Sequence, residues 1–94
     1  MEEAQEFEWD SSNLRHLARH RISRQEFEEA MRGGPVVVAF SNDSGEERWS
    51  VLGMTRNLRV LYMVYAFRED RIRAITGWNA PKQLREHYYR TKAH

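Results

Sequence analysis

The sequence predicts one α+β domain: an antiparallel sheet preceded by two helices and followed by one. Three observations lead there. Up to Met31, apolar residues recur at three- and four-residue intervals. From Val36 to Thr76 they alternate or run continuously, with many β-branched members. An Asn with a Pro close behind it, Asn79 and Pro81, then opens a last helix. Helices and strands segregated in this way build an α+β fold, with helices on one or both faces of the sheet. Ninety-four residues suit a single domain spanning 1–94, with no room for a second core.

Each element has its own signal. Phe7-Glu8-Trp9 alternates apolar and polar, as a short edge strand does. Asp10 caps a helix over about 11–21, with Leu14, Leu17 and Ala18 on one stripe. Arg21-Ile22 breaks it. Ser23 and Glu26 form a capping box for a second helix, with Phe27, Ala30 and Met31 on its apolar face. Gly33-Gly34-Pro35 ends it. Val36 to Phe40 is a strand, Ser41 to Gly45 a turn, and Glu47 to Gly53 a second strand, with Arg56-Asn57 turning after it. Leu58 to Arg68 is the longest strand. Both of its faces are apolar, Val60-Tyr62-Val64-Ala66 and Leu61-Met63-Tyr65-Phe67, so it is expected at the sheet centre, covered on both sides. Glu69-Asp70 is a tight hairpin turn. Arg71 to Gly77 is the last strand, with Ile72, Ala74 and Thr76 opposed to Arg71, Arg73 and Ile75. The four strands form a meander, to which the N-terminal strand adds an edge. Asn79 is the expected cap of the closing helix, which runs to about Arg90.

Composition narrows the function classes. There is no cysteine, so disulfides and thiolate metal sites are excluded and a reducing cytoplasm is the expected compartment. No apolar run approaches the roughly 18 residues of a membrane span. The acidic opening, Met1 to Asp10, is the opposite of a secretory signal. The net charge of +1 conceals a polarity: residues 54–94 carry nine bases against three acids, whereas residues 1–10 carry five acids and no base. A basic half suits RNA or an acidic protein surface; the plain alternative is a solvated arginine-rich face.

Four constellations offer chemistry. Arg48, Arg59, Arg68, Arg71 and Arg73 lie on or beside paired strands. Guanidinium groups crowded on a sheet suit phosphate, which they bind bidentately, unless each is paired with a nearby Glu. Glu47 and Arg48 are sent to opposite faces by alternation, and a carboxylate there is either an acid–base group or a cross-strand ion partner. His16 and His20 are four apart on one helix face, but no carboxylate or HExxH pattern completes a metal site. His20, at the helix C-terminus, is placed to act alone as acid or phosphate clamp, or is merely exposed. Trp78, Tyr88 and Tyr89 lie in the basic half and can stack on bases, with at least one tyrosine expected in the core. Trp9 and Trp49 read as packing residues.

Taken in order, these residues resemble the BrnT family, the ribonuclease toxins of type II toxin–antitoxin pairs. The resemblance covers about residues 7–90. It rests on Phe7-Glu8-Trp9-Asp10, on Asn13-Leu14 with Arg19-His20 and Ile22-Ser23, and on Glu46-Glu47-Arg48 with Leu52-Gly53. Leu58-Arg59-Val60-Leu61 through Tyr65 and Arg71-Ile72-Arg73-Ala74-Ile75-Thr76 complete it. It implies a RelE-like fold and an endoribonuclease that needs no metal or other cofactor and uses the RNA's own 2′-hydroxyl. It also implies a cognate antitoxin with a ribbon-helix-helix region, through which alone DNA is met. An oligomer with that antitoxin is left open. Carried over, His20, Glu47, Arg59 and Arg73 are the expected catalytic residues, and Arg48, Arg71, Trp78 and Lys82 the expected RNA-binding ones. The chain departs from the family where Arg21 and Leu58 replace glycines and Arg19 replaces a lysine. Trp78 stands where many members have a further arginine, which is missing here. That last change keeps open an alternative: a weakened or inactive module of the same fold that binds a partner protein or RNA through its basic sheet face.

Overall fold

In the computed structural model, which describes residues 6–93, Asp10 does what its side chain dictates. Its carboxylate accepts the Asn13 N–H at 2.9 Å, and the Asn13 side chain accepts the Asp10 N–H at 2.9 Å. This reciprocal cap opens α1 (Ser11–Ala18) directly after β1 (Phe7–Glu8). Asn13 is buried yet satisfied, because its amide also donates to the Glu8 carbonyl at 3.2 Å. Residues 1–5, with Glu2 and Glu3 of the acidic opening, lie outside the described residues.

α1 stops earlier than its apolar stripe suggests. Arg21 takes a left-handed conformation, φ 58°. Arg21 N–H then bonds the Ala18 carbonyl at 2.9 Å and Ile22 N–H bonds the Leu17 carbonyl at 3.0 Å. This is a Schellman termination, with Leu17 and Ile22 both buried in one cluster as its hydrophobic clasp. α2 (Arg24–Arg32) starts on the Ser23–Glu26 capping box and buries Phe27, Ala30 and Met31, as predicted.

Four strands follow: β2 (Val36–Asp43), β3 (Glu46–Met54), β4 (Val60–Arg68) and β5 (Arg71–Asn79). The sheet order is β1-β5-β4-β3-β2. The meander is antiparallel, and β1 joins parallel to β5 at Phe7–Ile72 and Glu8–Arg73. β4 is central, as expected. The turn expected over Ser41–Gly45 contracts to Ser44-Gly45, and the other hairpin turns at Glu69-Asp70; all four residues have positive φ. Such two-residue turns carry the twist that matches a right-handed sheet. Asn79 does not cap the last helix: it ends β5, and Pro81 is the N-cap of α3 (Lys82–Lys92).

The helices divide the sheet's two faces. α1 and α2 cover Val51, Leu61, Met63, Ile72 and Ala74. α2 approaches β3 so closely that a Cβ on Gly53 would lie 2.5 Å from the Ala30 carbonyl oxygen. α3 covers only one end of the opposite face, through Leu52, Val60, Ala80 and Tyr88. The rest of that face stays open.

A bulge sets what the open face displays. Tyr65 pairs with Ala74 but Val64 pairs with Thr76, so Ile75 is extra. Strict alternation put Thr76 opposite Arg73. The bulge returns Thr76 and Trp78 to the side of Arg73, where Trp78 faces Tyr62.

Arg59 fixes the helices to the sheet. Its Nε donates to Asn79 Oδ1 at 2.7 Å, Nη1 to the Arg21 carbonyl at 2.7 Å and to Glu26 Oε1 at 3.1 Å, and Nη2 to the His20 carbonyl at 3.0 Å. Burial raises the Glu26 pKa, but the Ser23 N–H and the Arg59 guanidinium outweigh it and hold the carboxyl below its usual range.

Arg21 and Leu58 (φ 66°) occupy left-handed positions that cost a non-glycine residue about 1–2 kcal/mol. Arg21→Gly and Leu58→Gly are each expected to raise stability by about 1 kcal/mol, read as a higher urea midpoint at unchanged slope. A depressed carboxyl pKa contributes stability above the unfolded value, about 4.3, and loses it as pH falls through the folded value. The wild-type midpoint should therefore fall between about pH 6 and about pH 3, and Glu26→Gln should show a smaller fall.

Candidate functional site

Alternation and register put three positions in one row across the open face. Ala66 pairs with Arg73, and Arg48, next to the Trp49–Tyr65 pair, adjoins Ala66 from the other side. α1 packs on β5 and brings its Ser12–His16 flank to the same place. Between them opens a cavity of about 130 Å³ lined by Ser12, Asn13, His16, Arg48, Arg73 and Ile75. That is several times the roughly 30 Å³ share of one water.

The electrostatics are those of a partly compensated cation site. Arg73 has a side chain only 24% exposed; its Nη2 lies 3.9 Å from Asp10 Oδ2, and its buried Nε has no hydrogen-bond partner among the described residues. Arg48 is paired with Glu46, its Nε donating at 3.1 Å and Nη2 at 3.0 Å. Asp10 is held below the usual carboxylate range, first by the Asn13 N–H and also by the Arg73 charge. The neighbouring bases are paired more loosely than Arg48: Arg71 with Glu6 at 3.5 Å and Arg68 with Glu8 at 3.8 Å. Such exposed pairs contribute only about 0–1 kcal/mol each and exchange readily for a stronger anion. Two half-buried or exposed guanidinium groups beside an imidazole suit a phosphodiester, because guanidinium stays charged and donates in pairs.

The residues singled out from sequence are distributed as follows. Arg73 and Arg48 meet at the cavity. Arg71 shares their face, at the hairpin end. Trp78 and His20 stand together farther along, ring centroids 5.9 Å apart. Lys82 is exposed at the first turn of α3. Glu47 lies on the opposite face, where it lines a depression with Asn42 and Phe67, because a strand turns successive side chains to opposite sides. Arg59 is near neither Arg73 nor Glu47. It precedes β4 by one residue, seven positions from Ala66, which is about 23 Å of strand. All its nitrogen atoms are committed to the bonds that brace the helices. His16, which sequence reasoning treated only as half of a metal pair, is instead the imidazole at the cavity. The signal was available in the helix phase: with Asn13 and Leu17 inward, Ser12 and His16 form the adjoining flank. Tyr62 was read only as a strand residue.

Two further observations concern the rest of the surface. Among the described residues, no three His, Asp or Glu side chains come together as metal ligands, and no helix is long and apolar enough to cross a membrane. A larger cavity, about 380 Å³, lies at the end of α2 among Glu29, Arg32, Thr55 and Arg56, where Glu29 already accepts the Arg56 N–H.

No curated protein matches the chain. A protein-family model described as "Ribonuclease toxin, BrnT, of type II toxin-antitoxin system" matches residues 9–83, from the Trp9 beside the Asp10 cap through the whole meander to the start of α3. That span includes every residue around the cavity, and the chain belongs to the BrnT family of ribonuclease toxins of type II toxin–antitoxin systems.

Proposed function

We propose that the chain is a metal-independent endoribonuclease that cuts RNA at the cavity between α1 and the open sheet face. What carries the reading is one juxtaposition, Arg48, Arg73 and His16 around a space large enough for a phosphate, in a chain of a ribonuclease family. Arg73 and Arg48 clamp the scissile phosphate and take up the charge that grows on its oxygens. The 2′-hydroxyl attacks phosphorus, the bond to the 5′ oxygen breaks, and a 2′,3′-cyclic phosphate and a 5′-hydroxyl result. His16 is the group at hand to take or return the proton; His20 stands beside Trp78, away from the cavity. Arg71 and Lys82 add charge along the strand's path. Arg59 acts through the fold, by holding the turn that follows α1. Glu47, on the far face, takes no part in this arrangement.

The family supplies the setting. As a type II toxin, the chain has an antitoxin partner. We place that partner in the ribbon-helix-helix class, with DNA bound only through it, and both proteins in the cytoplasm.

A second reading has one observation in its favour. In the free chain Arg48, Arg68, Arg71 and Arg73 each have a carboxylate within ion-pair distance, which lowers the field available to RNA. A face so compensated also suits a non-catalytic binding module.

The deciding measurement is cleavage of a single-stranded RNA by purified protein in the presence of a chelator. Arg73→Ala should reduce the rate about 10²–10³-fold and His16→Gln about 10²–10⁴-fold, both with unchanged thermal unfolding. Glu47→Gln should leave the rate unaltered. Absence of cleavage by the folded wild-type chain, with RNA binding retained, would instead select the binding module.

A further inference from the structure

The open face carries a second feature that phosphate chemistry does not use. Trp78 and Tyr62, paired across β5 and β4, are stacked, with ring centroids 5.1 Å apart and planes 10° from parallel. Tyr62 is backed by the cluster under α3, with Leu52, Val60, Ala80 and Tyr88, so it is a firm support. Trp78 is the outer member and 36% exposed. The exposed His20 ring stands beside it, tilted 57°. The Arg59 bond holds the His20 carbonyl, whereas no hydrogen bond holds the imidazole among the described residues.

The position of this shelf matters as much as its chemistry. Tyr62 is four residues along β4 from Ala66, the partner of Arg73, a distance of about 13 Å on the same face. Only the uncharged Val64–Thr76 pair lies between. A cationic clamp and an exposed aromatic plane at that separation are the two parts of a single-strand binding groove: one follows the backbone and the other stacks a base. A paired base in a duplex has both of its faces covered by neighbours, so an aromatic shelf takes bases only from a single strand.

We infer that Trp78, supported by Tyr62 and flanked by His20, seats one unpaired nucleobase of the RNA whose phosphate lies at Arg48 and Arg73, which rests on the RNA reading above. His20 swings aside to admit the base and can hydrogen-bond its edge. The substrate is accordingly single-stranded RNA, engaged by at least one base beyond the cut phosphate.

The test uses a single-stranded 2′-O-methyl oligoribonucleotide, which lacks the attacking hydroxyl, and a series in which one base at a time is removed. The wild-type chain should lose affinity when one particular base is missing. Trp78→Ala should bind the intact strand about ten- to a hundredfold more weakly and should lose nothing further at that position. Trp78→Phe should keep most of the affinity, and the corresponding duplex should bind more weakly than the single strand. Unchanged binding by Trp78→Ala, with binding by Arg73→Ala reduced, overturns the base seat and leaves the RNA reading standing. Failure of the wild-type chain to bind RNA at all overturns both. Should Trp78→Ala not fold, the base-removal series on the wild-type chain decides, and equal affinity across all positions overturns the seat.

Discussion

The Arg59 guanidinium ties together three parts of the chain: the turn after α1, the first turn of α2 and the end of β5. Apolar packing is not directional and allows a helix to slide on a sheet. Four hydrogen bonds from one planar group do not. They set where α1 ends relative to β5, and that sets where the Ser12–His16 flank stands relative to Arg73. The Asp10–Asn13 cap fixes the other end of the same short helix. α1 is therefore held at both ends by charge-assisted bonds, which suits an element that forms one wall of a site.

The fold was legible wherever its determinants were local. Caps at Asp10 and Ser23, the Gly33-Gly34-Pro35 break, the Glu69-Asp70 hairpin and the apolar core of β4 all follow from side chains a few residues apart. Asn79 misled because its best partner is Arg59, twenty positions away, which a local reading of Asn before Pro cannot weigh. The parallel pairing of β1 with β5 was equally out of reach, since two residues of alternating polarity carry no sign of direction.

The site was legible in part and for similar reasons. Strand parity correctly separated Glu47 from Arg48, because a period of two needs no tertiary knowledge. Parity then failed beyond Ile75, where the extra residue reverses every side chain that follows. Trp78 reaches the arginine face only through that reversal. Arg59 and Arg73 both carry a guanidinium on or beside a strand, and nothing in composition distinguishes the one that braces the fold from the one with an unpartnered Nε. The difference lies in what surrounds them: three carbonyl or carboxylate oxygens and an amide for Arg59, one distant carboxylate for Arg73.

β1 pairs with residues some sixty-five positions away along the chain, whereas every other strand pairs with its sequence neighbour. Closing so long a loop costs entropy before two residue pairs return any of it, so β1 is the strand whose pairing loop closure opposes most. Phe7 and Trp9, both packed edge-on against Phe27, supply the adhesion that the short ladder lacks. Release of this segment takes Glu8 away from Arg68 and draws Asp10 from Arg73. Any local opening of β1 would thus raise the positive field over the open face, so the most cationic face belongs to the least complete structure.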